Sequence, residues 1–202
     1  MRALLLALAV GCAAPHGRHG LERQLESEVV ALHQRVRQLE AELETCDAGA
    51  PAMPLLAELH QLFAGTEIDV EPRGGAVVVI LPVRHLFADP YSLRLRAESD
   101  MSLDLLATAL GRHPEPLVRI EGHTDDAMLP AGLVRRYGSH LDLSFQYAAA
   151  VLQELTTRFG LPEERFSVTA RGAWAPLATN DTPAGQARNQ RVEVHILAAG
   201  TR

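Results

Sequence analysis

No apolar run in this sequence is long enough to cross a bilayer. The opening run at residues 3–11 falls far short of the roughly 20 residues a spanning helix needs, which excludes a transmembrane segment there. Massed cations are also missing. Nineteen Lys and Arg stand against 25 Asp and Glu, and the formal net charge of -6 offers no general attraction to nucleic acid. His123, Asp125, Asp126, His140 and Asp142 supply acids and imidazoles, yet no known metal-ligand spacing joins them. They read as solvated loop residues, with no metal or other cofactor expected. Ser144, His123 and Asp125 are the side-chain types of a hydrolase triad, but no Gly-x-Ser-x-Gly elbow surrounds Ser144. Ser144 reads instead as a structural hydrogen-bonding group near a helix start. The expectation is a protein that is not an enzyme.

At 202 residues, 47% hydrophobic and 22% charged, the chain has the length for one globular core and an extension. Arg2, the short apolar run after it, and Cys12 directly after the small residue Gly11 read as an export signal over residues 1–11. The stretch Ala9-Val10-Gly11-Cys12 resembles a bacterial lipobox, although leucine is more usual where Ala9 stands. The resemblance implies that Cys12 is lipidated and opens the mature protein, with a linker over residues 12–20. Ala13 is not the aspartate that signals inner-membrane retention in enteric bacteria, so the resemblance favours the periplasmic face of the outer membrane.

Apolar residues then recur at alternating spacings of four and three: Leu25, Val29, Leu32, Val36, Leu39, Leu43 and Cys46. This is a heptad seam, and β-branched Val29 and Val36 alternating with leucines favours a parallel two-stranded coil over residues 21–47. An amphipathic helix lying on its own domain is the other reading of the same spacing. With Cys12 lipidated, Cys46 has no partner within the chain, so the expectation is a homodimer with a Cys46 to Cys46 disulfide. Gly49, Pro51 and Pro54 mark a break, and residues 48–65 read as a linker with a short helix at 55–63.

The domain is expected at residues 66–198, with a tail at 199–202. Strand-like runs at 68–73 and 76–81 flank Gly74-Gly75, a two-residue hairpin signal. Residues 86–90 read as a loop ended by Pro90. Ser99 or Asp100 caps a helix running to Gly111, with Met101, Leu105, Leu106, Ala109 and Leu110 on one face. Residues 117–122 alternate Val118 and Ile120 with Arg119 and Glu121, the pattern of a half-buried strand. A second helix is expected at about 142–159, and strands at 165–170 and 190–197. Together these imply an α/β sandwich, one mixed sheet with helices packed on one face. The loop at 172–185 is long enough to suggest a function.

Gly122-His123-Thr124-Asp125, then Leu143-Ser144 with Ala148 and Val151, then Gly172 to Pro176, Asn180 to Gly185 and Asn189-Gln190-Arg191-Val192 follow one another in the order of the OmpA-like peptidoglycan-binding domain, which residues 66–198 resemble. The resemblance implies non-covalent binding of the diaminopimelate end of the wall's stem peptide, an aspartate taking the ammonium and an arginine the carboxylate. By motif the aspartate is Asp125, with Thr124 and His140 lining the site. The arginine's place holds Tyr147, the family's asparagine at the start of the helix is His140, and two further family arginines correspond to Gln186 and Gln190. A phenol in place of a guanidinium exchanges a charged hydrogen bond of about 1.5–3 kcal/mol for a neutral one of about 1.

Two consequences stand open. Arg135 or Arg136, in the long segment between Asp126 and Ser139, supplies the missing guanidinium; or Tyr147 packs in the core and the domain has lost or changed its ligand. The first gives a tether between outer membrane and peptidoglycan. The second gives a dimeric envelope scaffold that binds another protein. A flagellar stator subunit, whose domain is similar, needs a membrane helix that this sequence lacks.

Overall fold

The computed structural model describes residues 52–88 and 93–197, together with Arg35 as a helical residue. The export signal, Cys12, the heptad seam, Cys46, Pro90 and residues 198–202 lie outside the described residues. The chain divides between Cys46 and Asp47, and the sheet with its helices belongs to the second unit.

Strands β1 (Asp69–Arg73) and β2 (Ala76–Pro82) form an antiparallel hairpin closed by Arg73 opposite Ala76. Gly74 and Gly75 take φ of 58° and 76°, the two left-handed conformations that a tight hairpin turn matching strand twist requires. With β3 (Val118–His123), β4 (Phe166–Gly172) and β5 (Arg191–Leu197) they make one sheet in the order β1-β2-β5-β3-β4. The last strand of the chain lies at the centre. The β3–β4 pair is parallel and the other three pairs are antiparallel.

Helices α1 (Ala52–Leu62), α3 (Ala97–Arg112) and α5 (His140–Gln153) bury Leu55 and Leu59, Leu103, Leu106 and Leu110, and Leu143, Tyr147 and Val151 in the same cluster as Val77, Val79, Ile120, Val192 and Val194. Because strand side chains alternate between faces, these strand residues all come from one side of the sheet. The mixed sheet with helices on one face is therefore the observed fold. Each fully buried Leu or Val contributes about 1.5–3 kcal/mol of transfer free energy.

Several local expectations are corrected. Leu86, expected to open a loop, instead ends a short helix, α2 (Val83–Leu86), and Phe87 bridges to Leu95. α3 starts at Ala97, and Ser99 sits inside its first turn, where Oγ donates to the Arg96 carbonyl at 2.7 Å. That shift puts Leu103 in the core and leaves Met101 72% exposed. α5 starts at His140 because Ser139 Oγ accepts from the Asp142 amide, and it ends in a π turn at Glu154–Arg158. The segment 126–139 holds α4 (Ala131–Tyr137), and the loop at 172–185 runs into α6 (Pro183–Asn189), capped by Thr182 with proline in its first turn.

Candidate functional site

β3 runs against the start of α5 through Gly122, where a Cβ would lie 1.7 Å from the Ser144 carbonyl oxygen. Only glycine permits this approach. Ser144 completes the junction: its Oγ donates to the Leu141 carbonyl at 2.8 Å and accepts from the Gly172 amide at 3.0 Å. The β3–β4 register slips between Gly122 and His123, and the Thr124 amide then donates to the Gly172 carbonyl at 2.9 Å. Three elements are thus fixed around the residues after β3. Thr124 Oγ1 lies 3.0 Å from His140 Nδ1, which ties the first turn of α5 to the same point.

Beyond Thr124 opens a cleft of about 250 Å³ walled by Asp125, Leu129, Leu143, Tyr147 and Gln190, among others. Asp125 is 6% exposed, and its Oδ2 accepts from Gln190 Nε2 at 2.8 Å. Among the described residues no cation pairs with it. Gln190 therefore orients the carboxylate without neutralising it, and a nearly buried carboxylate without a counter-charge is costly unless a cation arrives. What this cleft can do is accept an ammonium group.

The other expected residues are placed as follows. Tyr147 walls the cleft but is 2% exposed and stacks on Phe87 with ring centroids 5.5 Å apart. Arg135 and Arg136 are exposed residues of α4, whose Leu133 is the residue that walls the cleft. The Arg136 guanidinium lies over the Tyr137 ring, 5.3 Å from its centroid. Gln186 Nε2 donates to the Asn180 carbonyl at 2.9 Å, holding the loop that precedes α6.

The polar side of the sheet overturns the reading of β3 as half-buried and of His123 as a solvated loop residue. Glu121, His123, Arg191 and Glu193 are each at most 3% exposed. Glu121 and Glu193 stand directly opposite each other on β3 and β5, a like-charge pairing that destabilises a sheet unless cations answer it. They do. Arg191 Nε donates to Glu193 Oε1 and Arg73 Nη1 to Glu193 Oε2, each at 2.7 Å. Arg171 Nε donates to Glu121 Oε2 at 2.7 Å, and Arg119 pairs with Oε1 at 2.6 Å. His195 Nε2 lies 3.0 Å from Glu193 Oε2. Burial alone would raise the Glu193 pKa, but the His195 and Arg191 contacts hold it well below the ordinary carboxylate range.

Glu121, His123 and Glu193 bring three potential metal-ligand atoms within 4.8 Å of one another. Both carboxylates are already clasped by guanidinium groups, however, so a dication there would add charge to a cluster with no anion left to answer it. The arrangement is that of a structural charge network. Neither ring nitrogen of His123 has a hydrogen-bond partner. Burial first, then the Arg191 charge, lowers its pKa from 6.5 to about 4. Between those values the unfolded chain takes up a proton that the folded protein refuses, so stability falls as pH drops through that window. We expect a loss of about 3 kcal/mol from this group. Urea melts of His123→Gln between pH 7 and pH 4 should show a correspondingly shallower decline.

Residues 88–190 match the OmpA family. The chain belongs to the OmpA family. It is 29% identical over 143 residues to the probable lipoprotein YiaD of Escherichia coli, covering 69% of this chain and 60% of that protein. The peptidoglycan-associated lipoprotein of Rhizobium meliloti is 30% identical over 57% of this chain and 61% of its own length. The chain thus spans about three fifths of these two curated relatives. Among solved structures, the cell wall anchor of the T6SS from Pseudomonas aeruginosa superposes with a TM-score of 0.61 at 31% identity, covering 69% of this chain and 96% of that one. Among the described residues of this OmpA-family chain, no helix is long and apolar enough to cross a membrane.

The residues that organise this OmpA-family site but are not legible as such in the sequence are mainly Gly172 and Asn189. Asn189 is fully buried and uses its amide four times: Oδ1 accepts from the Leu177 and Ala178 amides, and Nδ2 donates to the Ala178 carbonyl and Asn180 Oδ1. It closes the loop that leads to Gln190. The signal is present in the Asn189-Gln190-Arg191 run, but not the role of each residue.

Proposed function

We propose that the domain binds peptidoglycan non-covalently, with Asp125 receiving the side-chain ammonium of the diaminopimelate in a stem peptide. The observation that carries this reading is the nearly buried Asp125 carboxylate, oriented by neutral Gln190 and without a cation among the described residues. The names of the relatives, a peptidoglycan-associated lipoprotein and a cell wall anchor, support it. Thr124 lines the same site with His140 behind it, in contact through Thr124 Oγ1, and Tyr147 supplies an aromatic wall. With Cys12 lipidated and a paired coiled-coil arm, including a Cys46 to Cys46 disulfide, the protein would tether the outer membrane to the wall as a non-enzymatic homodimer.

A second reading is favoured by one observation: Leu129, Leu133, Leu143 and Tyr147 wall the cleft, and no guanidinium does. On that reading the domain is a scaffold that binds another envelope protein. Cosedimentation with purified sacculi separates the two. Wild type should pellet with the wall and Asp125→Ala should stay in the supernatant. If Arg135 or Arg136 reaches the ligand's carboxylate, replacing both with alanine should weaken pelleting further. A wild-type protein that does not pellet would rule out the tether and favour the scaffold.

A further inference from the structure

His140 has two faces. Its Nδ1 meets Thr124 at the Asp125 cleft, and its ring also walls a second depression, of about 380 Å³, with Ser139, Leu141, Gly172, Ala173 and Trp174. Trp174 is 84% exposed and is the only tryptophan of the chain. Its amide donates to the Arg171 carbonyl at 3.2 Å, so the turn after β4 holds the backbone from which the indole projects.

We propose that this depression is a subsite for an N-acetylated amino sugar of the glycan strand, with Trp174 as the stacking platform. The inference rests on the reading of the Asp125 cleft as a stem-peptide site. Three observations select this occupant. No acidic side chain or arginine lines the depression, so it suits a neutral ligand and gives nothing to a phosphate or an ammonium. The Leu141 side chain and the exposed indole offer flat apolar surface, the complement of the C–H face of a pyranose ring, and aromatic rings bury much area at little entropic cost. The lining also carries a polar group for the ring's edge: His140 uses Nδ1 for Thr124, and among the described residues its Nε2 makes no hydrogen bond. Adjacency supplies the rest: Thr124, which lines the cleft, meets His140, which lines the depression. A stem peptide is covalently joined to an amino sugar, and the two depressions adjoin across the 3.0 Å contact between Thr124 and His140.

Because Trp174 is the sole tryptophan, its emission reports on this site alone. Full-length protein in detergent would be titrated with three probes: a β-1,4-linked N-acetylglucosamine tetramer, a diaminopimelate tripeptide without sugar, and the corresponding disaccharide-tripeptide. The tetramer should change the tryptophan emission. The disaccharide-tripeptide should bind about tenfold more tightly than the tripeptide, the gain expected of one stacked ring. Trp174→Ala should remove that gain, measured calorimetrically, while leaving tripeptide affinity intact, and Trp174→Phe should restore part of it. Equal affinity for the two peptide ligands, with unchanged emission on adding the tetramer, would overturn the subsite and leave the Asp125 cleft standing. Absence of tripeptide binding alongside a tetramer response would remove the cleft reading and keep the sugar site.

Discussion

Gly122→Ala should cost the domain at least about 3 kcal/mol and abolish ligand binding. The added Cβ would stand 1.7 Å from the Ser144 carbonyl oxygen and 2.6 Å from its carbon, contacts with backbone that no side-chain rotation relieves. α5 must therefore move off β3. Its first turn carries His140, and Ser144 Oγ holds the Gly172 amide, so one methyl group disturbs β4 and the Thr124 contact together. Gly132→Ala in α4 is the matched control. Nothing lies within 4 Å of a Cβ added there, and a helical glycine replaced by alanine gains roughly 0.5–1 kcal/mol. Urea unfolding of the two variants should move in opposite directions. A Gly122→Ala protein as stable as wild type would mean that β3 and α5 are not in contact as described.

Arg191→Ala should be of similar severity, about 3–5 kcal/mol, the range for removing one member of a buried ion pair. The Arg191 guanidinium is 2% exposed and makes three divergent bonds: to Glu193 Oε1 at 2.7 Å, to the Asn189 carbonyl at 3.1 Å and to the Ala175 carbonyl at 3.0 Å. Its removal leaves Glu193 facing Glu121 across the strand pair with one cation fewer, and frees the loop carbonyl of Ala175. Arg191→Lys should recover only part of the loss, because an ammonium cannot reproduce the planar fork. A loss below about 1 kcal/mol in the alanine variant, read by chemical denaturation, would contradict a buried role for this side chain.

These two residues also show what the sequence made visible and what it hid. Alternation in β3 marked Val118 and Ile120 as its apolar face, and Gly74-Gly75 marked the hairpin, because both signals are local. The charge network was not local. Arg119, Glu121, Arg191, Glu193 and His195 each look like a solvated face when read along one strand. They become a buried cluster only because β5, last in the chain, inserts between β2 and β3. α4 and α6 carried readable boundaries, Pro130 with Gly138 and Thr182 with Pro183, but their few apolar residues gave little periodicity. At the site, the motif led to Asp125 and Thr124 directly. That Gln190 holds the Asp125 carboxylate, and that Tyr147 both stacks on Phe87 and walls the cleft, depended on contacts between residues 60 or more positions apart.

Calorimetric titration with a diaminopimelate tripeptide, free or acetylated on its side-chain amine, tests the role of Asp125 most directly when run on wild type and Asp125→Asn. Either change should weaken binding by roughly 10- to 150-fold, the worth of one charge-assisted hydrogen bond. Combining them should add little, because both remove the same interaction. Equal binding of the free and acetylated peptides by wild type would contradict an ammonium site at Asp125.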